Sequence, residues 1–216
     1  MAAPRVPRLA KKPPEQYHHG DLRRALLQAA VKTLQKRGFN ALTLRSVGDE
    51  LGVSRTALYR HFADKSALLT AVAAEGFRTL RLELVAAWEG AGRRLSGFDA
   101  MGTAYVRFAL AHPWHYRVMF GSGFRLNPAD AELGVEGPAA FQVLVDALVE
   151  LQQQELVRSD APDLQARFVW SMVHGIAMLG IDGSLEHQGA NVEELTRYAN
   201  ERLRTGIGAN GATARG

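Results

Sequence analysis

The sequence predicts an all-α chain: an N-terminal three-helix head containing a helix-turn-helix, followed by a larger C-terminal helical domain. Three observations lead there. From Lys65 onward, apolar residues recur at helical spacing between breaks marked by Gly and Pro. No run of alternating β-branched residues is long enough to argue for a sheet. Thr43 to Lys65, TLRSVGDELGVSRTALYRHFADK, reads as two short helices broken by a tight turn. The organisation expected is an arm over 1–16, the head over 17–65, a helical domain over 66–206 and a disordered tail over 207–216.

The first 16 residues set Arg5, Arg8, Lys11 and Lys12 among Pro4, Pro7, Pro13 and Pro14. Such a composition cannot bury enough apolar surface to order itself, so a disordered basic arm is expected, suited to lying along phosphates or a minor groove. His18 and His19 are adjacent and point in different directions with no third ligand nearby, so no metal site is expected. Asp21 is expected to cap the first helix, in which Leu22, Leu26, Ala29, Ala30 and Thr33 form one packing face.

Thr43 is a good N-cap, since its hydroxyl accepts from a free backbone N–H two or three positions on. Leu44, Val47 and Leu51 then fall on one inward face, leaving Arg45, Asp49 and Glu50 toward water. Gly52 follows at once and takes the left-handed conformation that closes a helix. Ser54 caps the next helix, where Leu58 and Phe62 face inward and Arg55, Thr56, Ala57, Tyr59, Arg60 and His61 cover the rest. A second helix with so few core residues implies a partner, and duplex DNA is the one this motif suits.

In such a docking the N-terminal residues of the second helix meet base edges, and its positive dipole end favours phosphate. Arg55 can bond guanine O6 and N7 in bidentate fashion, Thr56 offers a hydroxyl, and Ala57 is small enough to meet a thymine methyl. Tyr59, His61 and Lys65 are placed for the phosphate backbone, which fixes register without reading sequence. Arg45 could reach either.

The stretch TLRSVGDELGVSRTALYRHFADKSALL resembles the DNA-binding domain of the TetR family of transcriptional regulators, and YHHGDLRRALLQAAVKTLQKRGF is similar to that family's first helix. Together they cover about a third of the chain. The resemblance implies DNA contacts from Arg45, Ser54, Arg55, Thr56, Ala57, Tyr59, His61 and Lys65. Gly48 departs from the pattern, which more often has alanine there; glycine inside a helix costs about 1 kcal/mol relative to alanine.

Behind the head, helices are expected at about 66–90, 98–111, 113–120, 138–156, 162–181 and 191–205, with a Gly-rich loop over 121–137. This region carries a heavy load of large apolar residues, most of which must be core. A ligand cavity has the same composition plus a few orienting polar groups. The pieces HPWHYRVMF and WSMVHG resemble the ligand-binding domain of one TetR subgroup, known for a Trp-His-Gly signature that Trp170, His174 and Gly175 would carry. That resemblance implies an apolar inducer site, for which Tyr105, Phe108, Trp114, Met119, Phe141, Trp170, His174 and Met178 are the candidates. Gly175 and Gly180 suit close helix approach. Pro113 suits the first position of a new helix, which separates His112 from His115 and argues against a metal at that pair. No metal and no cofactor is expected.

A two-fold operator needs two recognition helices, so a symmetric homodimer is expected. Its candidate faces are Leu164, Phe168, Ser171, Met172 and Gly175 on one late helix, and Val192, Leu195, Tyr198 and Leu203 on the last. The family's dimer likewise uses its last two helices.

Composition narrows the alternatives. The chain has no cysteine, which rules out disulfides and thiolate metal sites and suits a reducing compartment. Nothing resembles a signal peptide or an apolar run of roughly 18 residues, so a cytoplasmic protein without a membrane partner is expected. Residues 1–65 hold 13 Lys and Arg against 5 Asp and Glu, whereas 66–216 hold 13 against 17. A basic front and an acidic remainder match a protein that neutralises phosphate at one end. No nucleophile elbow, phosphate-binding glycine loop or paired-carboxylate arrangement supports an enzyme. The sequence therefore points to a ligand-responsive regulator, most simply a repressor, that binds double-stranded DNA and a small-molecule inducer.

Overall fold

The computed structural model describes residues 19–121 and 123–208, with side-chain detail from Leu22. The expected arm over 1–16, the side chains of His18 and His19, and the tail beyond Gly208 lie outside this description. The chain divides into two units, one ending at His61 and the other starting at Phe62. Among the described residues every regular element is a helix, apart from one isolated antiparallel bridge between Val157 and Gly208.

In the first unit, α1 (His19–Arg37) leads through a short 3-10 turn (Phe39–Ala41) to α2 (Leu44–Leu51) and α3 (Arg55–His61). The chain is already helical at His19, so Asp21 lies within α1 rather than at its cap. The expected inner face holds, since Leu26, Ala29, Ala30 and Thr33 are buried. Lys32 pairs with Glu50 at 2.6 Å and ties α1 to α2. The core residues contributed around α2 are Leu42, Leu44 and Val47. Leu51 is not among them: it ends the helix beside Gly52 and stays 37% exposed, while Leu42, ahead of the cap, fills the core instead.

In the second unit, α4 (Lys65–Gly90) is a central spine against which α5 (Leu95–Ala111), α6 (Pro113–Phe120) and α7 (Ala131–Gln153) pack; α8 (Pro162–Ile181) packs on α5 and α7. A single turn, α9 (Ser184–His187), leads to α10 (Val192–Ile207). Asp64 caps α4 by accepting from the Ala67 amide at 2.8 Å. At Gly76, α4 comes so close to α6 that an added Cβ would lie 2.5 Å from Met119 Sδ. Across α4 and α7, the buried carboxylate of Glu136 accepts from Arg78 at 2.8 Å and Arg81 at 3.0 Å. The Arg78 hydrogen bond is the main reason its carboxyl is held below the usual range.

Several boundaries differ from expectation. Helix α7 begins at Ala131, so the loop spans 121–130 rather than 121–137. The cause is Asp130, which accepts from the amides of Glu132 and Leu133 and starts the helix one turn and more ahead of Pro138. Pro138 therefore sits inside the helix, where it removes one backbone donor without ending it. Helix α5 begins at Leu95, three residues before the expected 98. Helix α10 runs through Gly206 to Ile207, where the Ile207 carbonyl accepts from the Arg158 amide at 2.8 Å, so the order extends past the expected 205.

Candidate functional site

Two candidate sites lie one in each unit. In the first, local chemistry sets the turn between α2 and α3. Thr43 Oγ1 accepts from the Ser46 amide at 2.9 Å while Ser46 Oγ accepts from the Thr43 amide at 3.0 Å, a reciprocal cap. Gly52 closes α2 with φ of 65°, the left-handed region that glycine enters without strain. Ser54 Oγ accepts from the Ala57 amide at 3.2 Å and caps α3.

A seven-residue helix is marginal alone, so α3 depends on its apolar contact with α2. Leu58 supplies it and is only 2% exposed. Its Cδ2 lies 3.2 Å from where a Cβ on Gly48 would stand. Glycine at 48 thus gives Leu58 room that alanine would tighten, a packing reason for the departure noted in the sequence.

The other side of α3 is open. Ser54, Arg55, Thr56, Tyr59 and Arg60 are exposed, and Ala57 and His61 are half-buried. Arg45 and Arg55 line one shallow depression between α2 and α3, together with Asp49. Arg45 stands 3.7 Å from Asp49, both well exposed, a solvent-screened pair that phosphate could displace. Lys65 opens α4 in the second unit, half-buried, and burial pulls its pKa down. Arg60 is a further exposed cation of α3 that the sequence reasoning gave no role; its place in the last turn, away from the cap, offered no signal.

In the second unit, residues of six helices line a cavity of about 260 Å³. Its wall includes Phe77, Leu80 and Leu84 from α4, Phe98, Met101 and Tyr105 from α5, Phe120 from α6, Phe141 and Leu144 from α7, and Val169, Trp170 and Val173 from α8; Leu203 of α10 also contributes. Of the candidates read from the sequence, Tyr105, Phe141 and Trp170 line it. Phe108 is buried and packs on His112, and Met119 is buried under α4 at Gly76. Trp114 lies beneath the Arg117 guanidinium, Met178 is half-buried near the end of α8, and neither is part of the wall. Phe77, Leu84 and Phe98 were missed because in sequence they read as ordinary core positions.

His174, half-buried and not part of the wall, ends a polar chain that begins at Trp170 and runs through two buried tyrosines. Trp170 Nε1, which can only donate, donates to Tyr105 Oη at 2.9 Å; Tyr105 and Tyr116 hydroxyls meet at 2.9 Å; Tyr116 Oη meets His174 Nδ1 at 2.7 Å. Every group is satisfied when Tyr105 donates to Tyr116 and Tyr116 donates to an unprotonated Nδ1. Neutral His174 is also what burial favours, since desolvation lowers its pKa. Burial raises both phenols, Tyr105 to about 12 and Tyr116 further. A protonated Nδ1 would donate to the tyrosines and leave one of the two phenol protons with no acceptor in the chain.

Gly180 meets the expectation of close approach, since a Cβ there would lie 3.1 Å from Leu110. Gly175 does not, for nothing stands within 4 Å of its missing Cβ. Leu164, Phe168, Ser171, Met172 and Leu179 are exposed along the same side of α8. On α10, Val192 and Leu203 are buried within the unit and only Tyr198 of the expected face is well exposed, because α10 turns that stripe onto α5 and α8.

A helix-turn-helix with an open polar second helix, joined to a helical domain that encloses an apolar cavity, defines a DNA-binding transcriptional regulator. Residues 26–72 match the family model described as bacterial regulatory proteins, tetR family, and residues 98–203 match the tetracyclin repressor-like C-terminal domain. The chain belongs to the TetR family. It is 30% identical over 149 residues to the HTH-type transcriptional repressor Rv1474c of Mycobacterium tuberculosis, covering 67% of this chain and 74% of that protein. A Rhodococcus protein of unknown function with a solved structure is 36% identical, with a TM-score of 0.79 over 90% of this chain and all of that one. The TetR family regulator PfmR from Thermus thermophilus shares the fold at 21% identity and a TM-score of 0.66, over 83% of this chain and 97% of that one. No helix among the described residues is long and apolar enough to cross a membrane.

The depressed His174 pKa fixes the sign of a pH effect. Between its folded value and the ordinary 6.5, the unfolded chain binds the extra proton, so stability should fall as pH drops through about 6.5 and level off below the folded value. Urea unfolding from pH 8 to pH 5 should show a smaller loss in His174→Gln than in the wild type.

Proposed function

We propose that the chain is a repressor that binds a near-palindromic operator as a symmetric homodimer and leaves it when a small apolar or amphipathic ligand fills the cavity. The observation that carries the DNA half is the open polar side of α3, with Arg55 and Thr56 exposed at its capped start. Arg55, Thr56 and Ala57 read bases; Ser54, Tyr59, His61, Arg45 and Lys65 hold phosphates. The head lies over 17–65 and the ligand-binding and dimerisation domain over 66–206.

The dimer reading rests on α8. Leu164, Phe168, Met172 and Leu179 repeat at helical spacing on one exposed side, with Gly175 among them leaving room for a partner helix to approach. Tyr198, exposed on α10, is a second candidate for the interface.

Ligand responsiveness needs a path from the cavity to α4, whose first turn follows the head. Phe120 lines the cavity and ends α6. The loop after it rests on α4, where Ser66 Oγ donates to the Arg125 carbonyl at 2.6 Å and the Asn127 amide donates to Thr70 Oγ1 at 2.9 Å. A ligand that displaces Phe120 shifts this loop and the start of α4, favouring a recognition-helix spacing other than the roughly 34 to 36 Å of one DNA turn. A ligand bound about 100-fold more tightly in that second state shifts the equilibrium by roughly 2.7 kcal/mol.

Selection of binding sites from random duplexes should return a near-palindrome. Against the selected duplex, Arg55→Ala should lose about 1 to 3 kcal/mol with relaxed preference at one base position in each half-site; a small loss uniform across sequences would mean that charge alone binds. Sedimentation at micromolar concentration should give a dimer for the wild type and a monomer for Phe168→Glu, whereas a monomeric wild type would contradict the assembly.

A further inference from the structure

We infer that the cavity takes an apolar ligand carrying a single anionic head group, a monocarboxylate being the simplest, and that Arg167 is the residue that selects it. This rests on the reading of the cavity as the inducer site and adds the chemistry of the inducer.

The cavity wall is almost wholly hydrocarbon, so its polar members decide selectivity. There are four: Tyr105, Trp170, Asn200 and Arg167. Three are occupied. The Trp170 indole N–H is donated to Tyr105, and the Tyr105 hydroxyl is held within the chain to Tyr116 and His174. The Asn200 amide donates to the Asp99 carbonyl at 2.9 Å, and its Oδ1 is fixed against α5, 2.5 Å from where a Cβ on Gly102 would stand. These groups shape the wall.

Arg167 differs from them in two ways. Among the described residues it is the only charged side chain lining the cavity, and no carboxylate lies within 4 Å of its guanidinium. Instead the guanidinium stands over the ring of Phe141, itself a wall residue, at 5.3 Å from the centroid. The contact is electrostatic attraction to the ring face and leaves the in-plane N–H donors free for a second partner. Arg167 is also exposed, so it stands at the open side of the cavity and not in its depth. A ligand with its tail among Phe77, Leu84 and Phe98 and a carboxylate at Arg167 would bury no unpaired charge, and the planar guanidinium matches a carboxylate in bidentate fashion. A cationic head would meet a like charge, and a neutral alcohol would leave the guanidinium without a charged partner. The cavity volume, about 260 Å³, lies near the lower end of the roughly 300 to 1,000 Å³ common for small-ligand sites, which suits a small ligand.

The test uses the full chain and three probes of one tail length, decanoate, 1-decanol and decyltrimethylammonium, titrated calorimetrically into the wild type, Arg167→Gln and Arg167→Lys. The wild type should bind decanoate at least ten-fold more tightly than decanol and bind the ammonium weakest. Arg167→Gln should lose ten-fold or more for decanoate and less than two-fold for decanol, and Arg167→Lys, which keeps the charge without the bidentate fork, should fall between the wild type and Arg167→Gln. Because Arg167 is exposed, its variants should keep the wild-type unfolding midpoint, which a thermal scan checks. Equal binding of decanoate and decanol, or equal losses in Arg167→Gln, would overturn the role of Arg167 and leave the cavity reading in place. Binding of none of the three would remove the cavity reading and this inference with it.

Discussion

The contact of Leu58 with Gly48 is the constraint on which the DNA-binding surface depends. A helix of seven residues has too few hydrogen bonds to hold itself, and Leu58 is the one buried side chain it contributes. With that anchor seated against α2, the rotation of α3 about its axis is set, and the residues at Arg55, Thr56 and Tyr59 are turned outward together. Glycine at 48 lowers the intrinsic stability of α2 by about 1 kcal/mol relative to alanine, and in return the two helices approach more closely. The reciprocal Thr43–Ser46 cap offsets part of that cost at the start of the same helix.

A comparable division of labour runs through the second unit. The chain from Trp170 through Tyr105 and Tyr116 to His174 joins α8, α5 and α6 by directional bonds in a region otherwise held by hydrocarbon packing. Such a network is costly when any member is left unpaired, so it holds three helices in one arrangement. Trp170 and Tyr105 line the cavity while their polar atoms bond within the chain. Glu136, gripped by Arg78 and Arg81, does the same between α4 and α7. The cavity persists because its frame is fixed by these polar connections, leaving the apolar wall free to meet a ligand.

What was legible in the sequence was local. Thr43, Gly52 and Ser54 act on backbone groups within a few residues of themselves, so the turn and both short helices could be placed from the residues alone. The start of α7 could not, because Pro138 looked like a beginning while the weaker signal of Asp130 marked the real one. Leu51 fell on the right helical face yet stayed exposed, because it is the last residue of α2, where Gly52 turns the chain away. The cavity wall was the least legible part. Phe77, Phe98, Val169 and Leu203 come from four helices, and a residue facing a void has the same spacing as one facing a neighbour. Arg167 carries no signal in the sequence, because the Phe141 ring beneath its guanidinium belongs to another helix. The Trp170–His174 spacing was visible, but its partners, Tyr105 and Tyr116, are some 60 residues away in the chain.

The central claim is that the start of α3 enters a groove of duplex DNA, and the absence of cysteine from this chain permits a direct test. A single cysteine at Thr56, carrying a photoactivatable aryl azide, is bound to the duplex recovered by selection and irradiated; a cysteine at Glu89, exposed in the last turn of α4, serves as the control. Crosslinks are expected from position 56 to bases within each half-site and none from position 89. Crosslinking from 89 with none from 56 would contradict groove entry.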